Sequence, residues 1–160
     1  MKDRVFTAEQ RVSVPRAVVF AFFSDPRNLE AITPPWLQFR IVARTTEDVR
    51  ESSELTYRLK LRGIPLTWVS RISEWVPGER FVDEQIRGPY AKWHHTHTFE
   101  DVPGGTLIGD RVLYRLPLAP LSHWIAGGFV AADVRKIFEF RRQRIEELLS
   151  AEATGSVEDP

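Results

Sequence analysis

Hydrophobic and polar residues alternate with a period of two through the middle of the chain. The alternation is cleanest from Tyr90 to Glu100, where Trp93, His95, His97 and Phe99 share one face and Lys92, His94, Thr96 and Thr98 the other. The second set is a solvent pattern, so the aromatic and histidine face points inward. Leu55, Tyr57, Leu59 and Leu61 oppose Thr56, Arg58, Lys60 and Arg62 in the same way, and Leu37, Phe39 and Ile41 repeat the pattern earlier. Turn residues at Pro77-Gly78, Gly88-Pro89 and Pro103-Gly104-Gly105 cut these runs at short intervals, which favours an antiparallel meander over alternating helices and parallel strands. The pattern predicts seven strands, at Asp3–Val14, Trp36–Arg44, Glu54–Arg62, Leu66–Trp75, Arg80–Arg87, Tyr90–Glu100 and Thr106–Arg115.

Helical spacing occurs in two places. Pro15 suits the first turn of a helix carrying Val18, Val19, Phe22 and Phe23 and ending by Asp25-Pro26, and a second short helix covers Asn28 to Ile32 before Pro34-Pro35. The long helix is C-terminal, with Val130, Val134, Ile137, Arg141, Ile145 and Leu148 in one stripe that Phe138 and Leu149 widen. Gly127-Gly128 interrupts its start, so Leu118 to Gly128 is expected to be a separate, more mobile piece. The expected organisation is a single domain over residues 1–150, with 151–160 as a disordered tail.

Composition narrows the function classes. The chain has 160 residues and 42% hydrophobic content, enough for one sizeable core. Its 22 basic residues balance 22 acidic ones, so no overall field draws it to nucleic acid or to an anionic membrane. Without cysteine there are no disulfides, thiolate nucleophiles or thiolate metal sites. No apolar run approaches the roughly 20 residues of a membrane span, Met1 to Phe6 lacks a signal-peptide core, and a cytoplasmic location is the default expectation. The Arg135, Lys136, Arg142 and Arg144 cluster reads as a solvated helix face.

One strand, two short helices, six meander strands and a long helix follow in a recognisable order. On Ser13-Val14-Pro15-Arg16-Ala17-Val18-Val19-Phe20, Asn28-Leu29-Glu30-Ala31-Ile32-Thr33-Pro34-Pro35, Arg87-Gly88-Pro89-Tyr90 leading into Trp93, and Asp110-Arg111-Val112-Leu113-Tyr114-Arg115-Leu116-Pro117, the chain resembles the START-like, SRPBCC or Bet v 1-like superfamily. Ile137-Phe138-Glu139-Phe140-Arg141 is similar to its bacterial cyclase/dehydrase-like subgroup. The resemblance implies an α+β helix-grip fold, a seven-stranded bent antiparallel sheet wrapped around the C-terminal helix with a cavity between them. It implies no metal and no cofactor. Similar domains are sometimes fused to a sugar-epimerase-like domain, which these residues do not include.

Pairing geometry sharpens the expected site. If Val102-Pro103-Gly104-Gly105 is a four-residue loop, His97 lies opposite Asp110, His95 opposite Val112 and Trp93 opposite Tyr114. The candidate cavity wall is then Trp93, His95, His97, Phe99, Tyr57, Asp110, Tyr114 and Arg141. The preceding hairpin is open, because a two-residue loop at Gly88-Pro89 turns Glu84 inward and a three-residue loop turns Asp83 and Gln85 inward. His95, His97 and Asp110 have the donor types of a zinc site, yet imidazoles hydrogen-bonded to a carboxylate account for the same residues, and no metal is expected. Nucleophilic chemistry lacks a Gly-x-Ser-x-Gly elbow or a phosphate loop. General acid-base chemistry remains, with His97 and Asp110 as the candidate catalytic pair and Tyr114 or Tyr57 as donor to a substrate carbonyl. Arg141, on the apolar stripe, either snorkels to water or meets a carboxylate such as Asp110, Asp83 or Glu84, and pairing is favoured over an anion-binding role.

The expected function is binding of a hydrophobic or amphipathic small molecule such as a lipid, polyketide or quinone. The alternative is a cofactor-free cyclase or dehydratase acting on a polyketide-like substrate. Expected partners are that small molecule and, as one option, a second copy in a homodimer, with no nucleic acid and no membrane span.

Overall fold

The alternating runs pair into one antiparallel sheet. A computed structural model describes residues 2–117 and 127–155. Its strands are β1 (Arg4–Val12), β2 (Arg40–Arg44), β3 (Glu54–Leu61), β4 (Ile64–Val76), β5 (Arg80–Arg87), β6 (Lys92–Val102) and β7 (Gly105–Arg115). The spatial order is β1-β7-β6-β5-β4-β3-β2, a meander whose last strand returns to pair with the first. Helices α1 (Arg16–Ser24) and α2 (Pro26–Ala31) join β1 to β2, and α3 (Gly127–Gly155) follows β7. Among the described residues no helix is long and apolar enough to cross a membrane.

Bends come from irregular pairing. Register shifts between Val69 and Ser70 and between Ile72 and Glu74 interrupt the β4–β5 ladder, and another falls between Ile41 and Ala43 in β2. Such bulges bend the strand and increase its twist, which lets the sheet curl toward α3. Phe6 of β1 meets Phe138 of α3 with ring centroids 4.7 Å apart. The Gln10 side-chain amide donates to the Arg142 carbonyl at 2.8 Å, and Arg62 pairs with Asp133 at 2.8 Å. Helix α3 is thereby tied to the edge strand β1 and, across the sheet, to the β3–β4 turn.

Several boundaries differ from the sequence pattern for local reasons. Trp36 is not in a strand: Pro35–Leu37 forms a short 3-10 turn closed by Gln38 in the left-handed region (φ 46°), so Trp36 is half exposed and β2 begins only at Arg40. Arg62 and Gly63 both take positive φ (50° and 82°), closing a two-residue hairpin that brings the start of β4 forward to Ile64. The β6–β7 hairpin is also two residues long rather than four, because Val102 pairs with Gly105 and Gly104 takes φ 82°. β1 stops at Val12 and Tyr90 lies before β6. In α1, Phe20 is buried while Val18 is 41% exposed. Helix α2 starts at Pro26, where Asp25 accepts from the Arg27 amide at 2.9 Å. Helix α3 begins at Gly127 and stays helical to Gly155, beyond the domain end read at residue 150. The separate piece expected from Leu118 lies, over residues 118–126, outside the described residues, as do 156–160.

One glycine carries a close approach. A Cβ on Gly105 would run into the Val12 carbonyl oxygen and the Ser13 backbone, where β1 leaves the sheet. Gly105→Ala should therefore cost about 2 kcal/mol or more, read as a lowered denaturant midpoint; a variant as stable as the parent would show that the two segments can separate freely.

Candidate functional site

The inner face of the bent sheet does not meet α3 everywhere. Between them lies a cavity of about 190 Å³. Strand β3 contributes Leu55, Tyr57 and Leu59, β4 Trp68 and Ile72, β5 Phe81 and Asp83, β6 Trp93, His95 and His97, and α3 Val134, Ile137, Phe138 and Arg141. The aromatic part of the wall is continuous: Trp68 meets Trp93 at 5.3 Å and Tyr57 at 6.4 Å between ring centroids, and Trp93 meets Tyr90 at 4.8 Å. These rings give large contact area at low conformational cost.

One end of the wall is polar. In the observed registers His95 is opposite Asp83 on one neighbour and His97 opposite Asp110 on the other. The shortest contacts run diagonally. His95 Nε2 lies 2.8 Å from Asp110 Oδ1, and His97 Nε2 lies 3.0 Å from Asp83 Oδ2. The remaining nitrogens face the other carboxylates, His95 Nδ1 at 3.4 Å from Asp83 and His97 Nδ1 at 3.1 Å from Asp110, the latter without hydrogen-bond geometry. The two imidazoles, 3.8 Å apart between centroids, thus sit between two carboxylates, and Phe81 stacks on His97 at 4.3 Å.

Burial and pairing act on this cluster in opposite directions. Burial alone would push the Asp83 and Asp110 carboxyls up, but hydrogen bonds from His95 and His97, with their charge, outweigh it and hold both well below the ordinary carboxylate range. For His95, burial favours the neutral ring, and the bonds to Asp110 and Asp83 override it and raise its pKa. Burial, with the charge of Asp83, pushes the Tyr57 hydroxyl far up, and burial does the same to Tyr90, so both remain neutral phenols.

Of the residues read from the sequence, Trp93, His95, His97, Tyr57 and Arg141 line the cavity. Three do not. Phe99 is 1% exposed and packs against Phe20, Phe23 and Phe81 in the core, because β6 passes beyond the end of the cavity there. Tyr114 belongs to a separate core group with Val112, Val130, Val134 and Phe138. Asp110 stands behind His95 rather than on the wall. The open choice at the β5–β6 hairpin resolves to Asp83, while Glu84 faces His94 at 3.5 Å on the outer side. Gln85 is spent on the turn, donating to the Tyr90 carbonyl at 2.7 Å and accepting from its amide at 3.2 Å. Trp68 also lines the wall, set opposite Tyr57 by the positive-φ turn at Arg62-Gly63, a pairing that alternation within its own strand does not reveal.

Arg141 has no carboxylate partner among the described residues, contrary to the pairing read from its place on the stripe. Its Nε is shut off from solvent without a hydrogen bond, and Cζ sits 5.5 Å from the Phe23 ring centroid and 5.9 Å from that of Phe138. Among the described residues the group able to hold a metal is Asp83, His95 and His97, with donor atoms within 4.8 Å of one another, Asp83 standing where the sequence pattern offered Asp110. In the hydrogen-bonded arrangement both Nε2 atoms are already engaged by carboxylates.

A bent seven-stranded sheet gripping a C-terminal helix, with a cavity between them, is the helix-grip architecture of the Bet v 1-like proteins. Residues 12–140 match the family described as "Polyketide cyclase / dehydrase and lipid transport", and the chain belongs to that family. No curated protein sequence matches it significantly. Among solved structures, Ara h 8.0201 is similar with a TM-score of 0.69 at 18% identity, covering 94% of this chain and 99% of that one. The nucleoside-diphosphate sugar epimerase from Corynebacterium glutamicum has a TM-score of 0.69 at 26% identity; the match covers 94% of this chain and 30% of that one. The di-domain ARO/CYC StfQ from the steffimycin biosynthetic pathway has a TM-score of 0.75 at 13% identity, with 95% and 52% covered.

The pKa directions set a pH window for stability. Because His95 binds its proton more tightly when folded, its contribution is full below the ordinary histidine value near 6.5 and is lost as pH rises through the higher folded value. Asp83 and Asp110 bind theirs less tightly when folded, so their contribution is full above the ordinary value near 3.8 and is lost as pH falls toward the lower folded values. The stability lost in His95→Gln should therefore be greatest between about pH 4 and 6.5 and shrink above it; thermal melts across pH that give a constant difference would contradict the coupling. Elemental analysis of the purified protein should find no near-stoichiometric zinc or iron, and stoichiometric metal lost in His95→Ala would reverse that expectation.

Proposed function

We propose that the chain binds a hydrophobic or amphipathic small molecule, of lipid, polyketide or quinone type, in the cavity between the sheet and α3. The observation that carries the reading is the aromatic-walled cavity of about 190 Å³ itself. Its lining is largely apolar, with Tyr57, Trp68 and Trp93 beside Leu55, Leu59 and Ile72, and an apolar molecule seated there would bury that surface. The family's description pairs cyclase and dehydrase activity with lipid transport, and each of these needs such a pocket.

A second reading rests on the buried His/Asp cluster. His97, with Asp83 at the cavity and Asp110 behind, has the residue types for moving a proton at neutral pH, which supports a cofactor-free cyclase or dehydratase. Binding is favoured because a general base needs a free lone pair facing the substrate. His95 Nε2 and His97 Nε2 are both taken by carboxylates, and His97 Nδ1 faces Asp110, away from the wall.

Native mass spectrometry of the purified protein, followed by thermal-shift screening of fatty acids, quinones and polyphenols, is the direct test. A ligand at one hundred times its dissociation constant should stabilise the fold by about 2.7 kcal/mol; no shift with any class would sink the reading. His97→Gln should change affinity by less than about 1 kcal/mol, the net value of one hydrogen bond, because both ring nitrogens of His97 face carboxylates and not the ligand. Conversion of a ligand to product by the parent protein, lost in His97→Gln, would instead establish the enzymatic reading.

A further inference from the structure

We infer that the ligand of this cavity carries an anionic oxygen group, a carboxylate or a phosphate, and that Arg141 of α3 binds it. The inference rests on the cavity being a ligand site, as proposed above, and specifies what the site selects. Arg141 lies on the buried stripe of α3 among Val134, Phe138 and Ile145, whereas Arg135 and Arg142 on the same helix are exposed. Its half-buried side chain lines the cavity, with Nε shut off from solvent and Cζ near the inner rings of Phe23 and Phe138.

Several other polar groups on the wall have partners within the protein. Asn28 donates to the Phe22 carbonyl at 2.9 Å, Thr33 to the Leu29 carbonyl at 2.6 Å, and Asp83 is held by His97. His97 Nδ1, which lacks a hydrogen bond, has Asp110 at 3.1 Å. Arg141 Nε has no partner. Phe23 and Phe138, which flank the guanidinium, also neighbour His97 and His95, at 6.1 Å and 5.5 Å between ring centroids. They favour the cation through their faces, but they accept no N–H bond.

A guanidinium whose Nε is cut off from water, with its head against two rings, is stabilised by an acceptor and an opposing charge. A neutral carbonyl supplies only the first. A carboxylate or phosphate supplies both, in the planar geometry that the arginine fork matches, while Leu55, Leu59, Trp68 and Ile72 are left for the apolar body of the ligand. The site therefore suits an apolar acid.

Displacement of Nile red, a neutral probe, tests this with alkyl carboxylates, alkyl phosphates and alkan-1-ols of matched length, octyl to tetradecyl, kept below their micellar concentrations. In the parent protein at least one acid series should bind about tenfold or more tighter than the alcohol of equal length, a factor typical of one charge-assisted contact. The tighter of the two acids identifies the group. Arg141→Met, with its fold checked by circular dichroism, should bring the acid-to-alcohol ratio to within about twofold while alcohol binding persists, and Arg141→Lys should retain part of the preference. The ratio in the parent protein stands without either variant. Alcohols that bind the parent as tightly as acids, or a preference that survives Arg141→Met, would overturn the inference and leave the ligand-binding reading intact. Failure of Nile red and of every series to bind would overturn both.

Discussion

The pairing register of β6 is the constraint on which the inner face depends. Backbone ladders to β5 and β7 set Asp83 beside His95 and Asp110 beside His97, and a slip of one residue in either would turn a carboxylate outward and leave a buried imidazole without its partner. Removing one member of a buried charged group commonly costs about 3–5 kcal/mol. The polar cluster and the apolar ladder on either side of it therefore favour the same register: Phe99 and Ile108 pair across the core end, and Trp93 and Tyr114 across the other.

Curvature decides what lies above that face. The register shifts in β4 and β2 bend the sheet, so α3 rests on β1 and reaches the β3–β4 turn without filling the middle. Phe138 joins the two regions. It packs on Phe6 in the core around Val112 and Tyr114, and its ring also meets His95 and Arg141. The cavity is held open by large rings braced against one another, Trp68 on Trp93 and Tyr57, rather than by a shortage of apolar residues.

Charge on this wall is distributed unevenly. Two carboxylates and two imidazoles satisfy much of one another's hydrogen-bonding capacity, whereas the guanidinium of Arg141 across Phe23 and Phe138 has ring faces for company. A core selected for stability alone would place a hydrocarbon at both positions, since buried charges seldom repay their desolvation. Departures from local packing rules of this kind concentrate at functional sites.

The alternation of Trp93, His95, His97 and Phe99, with turn residues at Pro77-Gly78, Gly88-Pro89 and Pro103-Gly104-Gly105, made the meander, the inward face and the pairing of His97 with Asp110 legible in the sequence, because period and turn chemistry are local properties, although the length of the β6–β7 loop was not among them. The same locality is why Asp83 against Glu84 stayed open: Gly88-Pro89 is compatible with more than one loop, and only the paired strands choose. A shared face also does not mean a shared cavity. Phe99, Tyr114 and Asp110 point inward as read, yet they end in the core or behind His95, since the extent of the cavity depends on how far the bulged sheet curls before α3 meets it. Helical spacing likewise put Arg141 on the buried stripe, but which rings and acids surround it depends on contacts between distant strands and helices. Those only the tertiary structure decides, because a side chain's partners are set by three-dimensional packing and not by its neighbours in the chain.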